Sequence, residues 1–385
     1  MVKESIKKIL TYRSGKFVFS SRFSEPKLSK SLIEAKVIYD TTVNLPLLVK
    51  DRASLNVELS RRSILATAAI GGNKLPAESA REIISRAGTA DDAHGGCEQS
   101  AMEIRNIKEA YDYAGGIPFD PRFFLTEEAV QKIHYLVTKG LRYKDNTPGR
   151  YRSHEARVGD DEHGGVYTPP RNLDDIRMLM REFILWINGK ELMDTPPEVR
   201  AALAHYHLCL IHPFGEGNGR CARVVEGILL GQAGKRYIAL LLPDFYYRNM
   251  DEYFRAFSDS IRGGEDDVTP FLEFTLKGWI DSLSYFRGKI MSFLRKGVLR
   301  AHFGHLKAEE KINQRQYDLL ILLMDYRDYR GSFTLEDLFS ASPFCLLYRG
   351  VSERTGRRDL KKLSDMKLLN TPEGAGYILN PMVLE

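Results

Sequence analysis

The stretch IHPFGEGNGRCAR, from Ile211 to Arg223, places a histidine, a carboxylate, three glycines, an asparagine and two arginines within thirteen residues. Glycine at this density lets the backbone approach something closely. The sequence on either side is helical: EVRAALAHYHLCLI leads in and CARVVEGILLGQAG leads out. With one helix ending near Ile211 and the next starting near Gly219, the amides of Gly217, Asn218 and Gly219 face outward at a helix N-terminus. Free N–H groups and the positive end of the helix dipole make that an anion site. Arg220 and Arg223, three apart, project on neighbouring faces of the first turn, and two guanidiniums beside an amide nest suit a polyphosphate. Glu216 would repel phosphate unless a cation lay between them, which Mg²⁺ bound through one carboxylate and phosphate oxygens supplies. His212 is the residue of the turn able to accept a proton near neutral pH. The pattern is a base, a metal carboxylate and a diphosphate cradle, which together describe a nucleotide site.

The rest of the chain sets limits. Its 385 residues allow two or three domains, and 43% hydrophobic with 28% charged residues describes an ordinary soluble protein. A balance of 56 basic to 51 acidic residues, net +5, is too mild to imply nucleic acid by itself. Cys97, Cys209, Cys221 and Cys345 share no metal-ligand spacing and read as reduced thiols. No apolar run is long enough for a membrane span, and MVKESIKKILTYRSGKFVF lacks that of a signal peptide. A cytoplasmic location without membrane association is the expectation.

Residues 1–99 form an N-terminal region whose helix, about 54–72, stops at Gly71-Gly72. Residues 100–286 form a mostly helical core. Thr126 with Glu128 suits a capped helix start. Between Arg150 and Pro170, RYRSHEARVGDDEHGGVYTPP breaks the helical pattern and turns on Asp and Gly, which predicts a β-hairpin. A basic helical connector spans 287–310. Residues 311–385 then run helix, short helix, helix (SERTGRRDLKKLSDM) and a hairpin-like tail, the order of a winged helix-turn-helix.

His212-Pro213-Phe214-Gly215-Glu216-Gly217-Asn218-Gly219-Arg220-Cys221-Ala222-Arg223 resembles the signature of the Fic family, H-P-F-x-[D/E]-G-N-G-R-x-x-R, at every position. GRYR and VYTPP bracket the hairpin where the family carries its flap, and DEYFRAF and TPFLEF match later helices, so the likeness runs from about Ser54 to Ser284. The resemblance implies a mainly α fold: a Fic helical core with a β-hairpin flap, plus the winged helix as an appendage known in some members. It also implies a protein adenylyltransferase that moves AMP from ATP to a Ser, Thr or Tyr hydroxyl and releases pyrophosphate. By resemblance His212 is the catalytic base, Glu216 holds Mg²⁺, and Gly217, Asn218 and Gly219 cradle phosphates. Arg220 and Arg223 hold the β and γ groups, and Phe214 anchors the loop. Val166 and Tyr167 would clamp a protein substrate on the flap, and Tyr253 would line the adenine pocket.

Many Fic proteins carry an inhibitory helix, [S/T]-x-x-x-E-[G/N], whose glutamate pairs with the second arginine. Here the matching segment is TAAIGGN, Thr67 to Asn73, with Gly71 in the glutamate's place. The resemblance therefore implies a form released from autoinhibition, with transfer favoured over AMP removal. His205 and His207, two apart on a helix, point to different faces and do not suit a metal. Asp160, Asp161, Glu162 and His163 form an acidic turn at the flap tip. Residues 349–367 hold seven basic and three acidic residues, so Arg354, Arg357, Arg358, Lys361 and Lys362 could meet DNA, although 308–385 as a whole is net −1. Self-modification and a homodimer are further partner classes. The alternatives are transfer of another nucleotide or a phosphoryl group, against which Gly219 and Arg220 argue, and a DNA-binding regulator.

Overall fold

Eight consecutive residues, Ala201 to Leu208, are buried on every face. A helix that is apolar all round has to lie inside other helices, and the fold is arranged around this one. The computed structural model describes residues 5–85, 96–264, 266–325, 332–371, 376–380 and 383. It divides into two compact units, Met1–Arg287 and Gly288–Glu385.

The first unit opens with β1 (Ile6–Leu10) and β2 (Lys16–Ser20), an antiparallel pair with Ile6 opposite Ser20. Ten helices follow in this order: α1 (Glu25–Val43), α2 (Val49–Ile70), α3 (Ala77–Ser85), α4 (Gly96–Gly116), α5 (Glu127–Thr138), α6 (Leu173–Ile187), α7 (Lys190–Met193), α8 (Pro197–Ile211), α9 (Asn218–Gln232) and α10 (Arg236–Arg248). α11 (Met250–Arg262) and α12 (Thr269–Ala308) complete the series. α8 is the buried helix. It packs on α9 and α6, while α9 packs on α4, α5 and α10, and α2 lies along α10. The Thr126 hydroxyl caps α5 by accepting from Ala129 N–H at 3.1 Å. Asp175, buried at the start of α6, ties down the β1–β2 turn by accepting from the Tyr12 and Ser14 amides at 2.7 and 2.8 Å.

The mainly helical class is as the sequence predicts, with three differences of detail. The β1–β2 pair was not anticipated, because only Phe17 and Phe19 alternate clearly in a short, basic segment. The flap hairpin shrinks to one antiparallel bridge, Val158 to Tyr167, since Gly159, Gly164 and Gly165 all have positive φ and carry the chain off the ladder. The connector is no separate helix: α12 runs unbroken for 40 residues, and the division between the two units falls within it.

The second unit contains the end of α12, α13 (Gln314–Asp325), α14 (Asp337–Ser340), α15 (Phe344–Leu347), α16 (Glu353–Asp365) and the antiparallel β3 (Leu369–Asn370) and β4 (Ile378–Leu379). Its own core gathers Phe303, Leu320, Phe333, Phe344, Leu360 and Leu363. Asp359 is buried there and accepts from Arg315 Nε at 2.7 Å and Gln316 Nε2 at 2.8 Å. Part of the tail read as hairpin-like, 372–375, lies outside the described residues, as does the side chain of Cys97.

Two buried histidines of the first unit resist protonation. Burial pushes His207 and His134 down to about 4. Both are neutral in the folded and unfolded chain above about 6.5; below that the unfolded chain alone takes up the protons, so stability drops from pH 6.5 to 4, by up to about 3 kcal/mol per residue. Trp186 and Trp279, the chain's two tryptophans, both lie in the first unit. Urea unfolding followed by their fluorescence should show the midpoint falling steeply between pH 6.5 and 4.5, and less steeply in His207→Gln.

Candidate active site

The chain turns sharply where α8 stops. His212 caps α8 in the left-handed region, φ 48° and ψ 57°, with its N–H donating to Leu208 O at 3.0 Å. A non-glycine residue pays about 1 kcal/mol or more for that conformation, so something else must hold it. Gly217 turns the chain again, at φ 81°, and α9 begins at Asn218. A side chain at 217 would press within 2.8 Å of Thr138 Cγ2, and one at 215 within 2.5 Å of Asp145 O, so both glycines are needed for close approach.

The turn is braced from neighbouring segments. His134 on α5 stacks on Phe214, with ring centroids 3.7 Å apart and planes within 4°. Its Nδ1 accepts from Gly149 N–H at 3.0 Å, which leaves Nε2–H to donate to Glu216 O at 2.7 Å. Asn146 Oδ1 accepts from Glu216 N–H at 3.0 Å. The Asn218 carboxamide bonds both backbone groups of Phe214, at 3.0 and 2.8 Å. Asn218 thus offers only its amide to a ligand, because its side chain is spent within the turn. The first helical bond of α9 is Cys221 N–H to Gly217 O at 2.9 Å, so the amides of Asn218, Gly219 and Arg220 precede the ladder.

A cavity of about 380 Å³ opens on this turn, within the range of small-molecule sites. His212, Glu216, Gly217, Asn218, Gly219, Arg220, Arg223, Tyr253, Tyr167 and Gly71 all line it. Val166 is 54% exposed and is not among its lining residues. Asp160 and His163 of the acidic turn face the cavity and pair at 2.8 Å.

The charges are distributed unevenly. Arg220 is buried, and its Nη1 meets both the Glu103 carboxylate of α4 and, at 2.8 Å, the Tyr143 hydroxyl. Asn73 Nδ2 donates to the same Glu103 at 2.7 Å. Arg223, also buried, gives Nη2 to Thr67 O at 3.1 Å and Nη1 to the Tyr253 hydroxyl at 3.4 Å, while its Nε has no partner. No carboxylate pairs with Arg223 among the described residues. Behind it runs a buried relay in which Tyr253 meets His205 Nε2 at 2.8 Å and Glu226 takes both His205 Nδ1 and the Tyr246 hydroxyl at 2.9 Å. Tyr253 therefore supports Arg223 as well as lining the cavity. His205 is a structural member of this relay, while His207 bonds Ser20 O at 2.9 Å on another face.

A Cβ on Gly71 would lie 3.5 Å from both Arg220 Nε and the Glu103 carboxylate, so this position adjoins the first arginine. Burial, and next the charge of Arg152, push His212 down to about 4, with the Cys209 backbone pulling weakly the other way. The ring is neutral at physiological pH and can accept a proton. His134, Arg152, Glu103 and Asn146 escaped the sequence reading. Arg152 sits in the quoted GRYR, whereas nothing in the local pattern marks Glu103.

Residues 124–230 match the profile of the Fic/DOC family. The chain is 28% identical over 206 residues to a protein named protein adenylyltransferase Fic from Aedes aegypti, covering 53% of this chain and 37% of that one. It is 27% identical over 209 residues to one of the same name from Nematostella vectensis, covering 54% and 44%. The chain thus spans about two-fifths of these relatives' length. A Fic family protein structure from Desulfovibrio desulfuricans superposes with a TM-score of 0.56 at 20% identity, over 94% of this chain and 98% of that one. Fic-1 from C. elegans gives a TM-score of 0.55 at 22% identity, over 68% and 72%. The turn lies within the matched segment, so residues 124–230 of this chain carry a Fic domain, and the cavity opens on it.

Proposed function

We propose that this protein is an adenylyltransferase, moving AMP from ATP to a hydroxyl of a protein. The observation that carries the reading is Arg223: a buried guanidinium with no carboxylate partner among the described residues, its Nε unpartnered, in a cavity beside three helix-start amides that precede the helical ladder. A buried cation in that state favours an anionic ligand. Arg220, held at Nη1, leaves its other nitrogens for a second phosphate contact. The relatives' name supplies the reaction class.

In this reading ATP lies along the turn, with its phosphates toward the amides of Gly217, Asn218 and Gly219 and the two arginines. The target hydroxyl oxygen forms a bond to the α-phosphorus, its proton passes to His212, and the bond to the pyrophosphate oxygen breaks. Positioning and charge neutralisation carry most of such a transfer. Mg²⁺ fits the donor set: Glu216 is an exposed carboxylate on the cavity wall beside the amides and arginines that would hold the phosphates, and phosphate oxygens and water would complete the ion's shell. When bound, the ion would neutralise phosphate charge. The backbone edge beside Tyr167 on the flap is the proposed seat of the protein substrate. Self-modification and pairing of two copies belong to the same proposal.

The second unit supports a nucleic-acid role as a winged helix-turn-helix. α16 exposes Arg354, Arg357, Arg358, Lys361 and Lys362, although Arg357 is partly satisfied by Glu353 at 2.8 Å. Cys209, Cys221 and Cys345 are unpaired, which supports a reducing, cytoplasmic setting, and no helix among the described residues is long and apolar enough to cross a membrane.

His212→Ala is expected to cut label transfer from α-³²P-ATP by roughly 10²- to 10⁴-fold while the fold is kept. Unchanged transfer would sink the reading. Gly71→Glu places a carboxylate beside Arg220, where it competes with phosphate for the cavity's cations. Auto-AMPylation should fall roughly 10- to 100-fold, the weight of one charged hydrogen bond. Equal labelling of both forms would show that glycine at 71 releases nothing.

A further inference from the structure

We propose that Arg152 is a positioning residue that holds His212 in its left-handed turn and keeps the imidazole neutral and ready to accept a proton. The proposal rests on the reading of His212 as the base and assigns a role to a residue outside the signature.

Arg152 is 3% exposed, and each of its three guanidinium nitrogens donates to a backbone carbonyl. Its Nε donates to His212 O at 2.8 Å, and its own N–H to Pro213 O at 2.9 Å. Nη1 donates to His154 O at 2.6 Å and Nη2 to Pro170 O at 2.7 Å. One planar fork thus ties the strained residue to the two ends of the flap segment, a geometry that an ammonium cannot reproduce. It explains how a non-glycine residue stays at φ 48°.

Every partner of Arg152 is a neutral carbonyl, and among the described residues no carboxylate pairs with it. Its charge therefore stands unneutralised beside the imidazole. Burial pulls its own guanidinium down to about 10, with the facing Tyr167 opposing, so it remains charged at neutral pH. The other titratable groups lining the cavity with His212 are Glu216, Arg220, Arg223, Tyr253, Tyr167, Cys209, Asp160 and His163. Of these, Glu216 and Asp160 would favour protonation, but both are exposed and screened by water. Arg152 is buried in contact with the histidine's own backbone and outweighs them.

The test is an NMR titration of the full chain labelled at histidine, with His212 assigned by loss of its signal in His212→Gln, beside kinetics of transfer. The wild-type His212 signal should titrate well below the ordinary 6.5. Arg152→Gln should raise it by about one pH unit or more, and Arg152→Lys, which keeps the charge, should leave it low. If His212 titrates at one pH in wild type and Arg152→Gln, the proposal fails. Arg152→Lys carries a second arm should the glutamine variant not fold. Loss of the fork should lower kcat at least about tenfold with the KM for ATP within about twofold. Wild-type kcat in Arg152→Lys would overturn the positioning role. The titration needs no turnover, so a chain that moves no AMP would sink the proposed function and still leave this inference to be judged by the signal of His212.

Discussion

A histidine held in a left-handed turn between two buried helices is the constraint on which the rest of the structure depends. α8 ends there because Pro213 has no N–H to extend the helix and disfavours a helical His212, and α9 begins six residues after His212, with its first residues on the cavity wall. A glycine-rich turn does not hold such a shape unaided, since it loses more conformational freedom than any other segment on folding. Its order comes from outside: Arg152 on the carbonyls of His212 and Pro213, His134 on Phe214 and the carbonyl of Glu216, and Asn146 on the Glu216 amide. Asn218 closes the turn on itself.

The arginines show how one residue type is used for different ends. Arg220 has a buried carboxylate and a tyrosine on one nitrogen, so it is oriented and its charge largely balanced. Arg223 rests on a carbonyl and a tyrosine hydroxyl, and the acid of its relay, Glu226, is spent on His205 and Tyr246. Among the described residues Arg152 has carbonyls only. Burying a cation without an anion is costly. Arg223 lines the cavity beside the helix-start amides and Arg152 lies against the backbone of His212, and neither is paired with a carboxylate among the described residues. That deficit connects the packing of α2, α4 and α11 to the proposed binding of a polyphosphate.

Most of the helical fold could be read from the chain because its signals are local. Thr126 before an acidic first turn, Gly71-Gly72 after an apolar run and the continuous apolar face of 199–211 each act within one or two turns of helix. The turn from Ile211 to Arg223 could be read for the same reason, since residues adjacent in sequence are adjacent in the site. β1 and β2 were missed because a short basic pair owes its stability to Asp175, more than 150 residues away. The flap hairpin was overstated because alternation was weak and three glycines dissolve the ladder.

The sequence by itself determined the helices on either side of the turn, the position of the turn and the types of group that gather there. Only the tertiary structure decided which of them share a cavity and what state each is in: Val166 lies outside it, Tyr253 is committed to Arg223, and Asn218 turns its side chain inward. Glu103, His134 and Arg152 reach the turn from α4, α5 and the flap, across separations of 60 residues or more. Charge state and backbone strain depend on distances through space and on the exclusion of water, and neither is written in the spacing of residues along a chain.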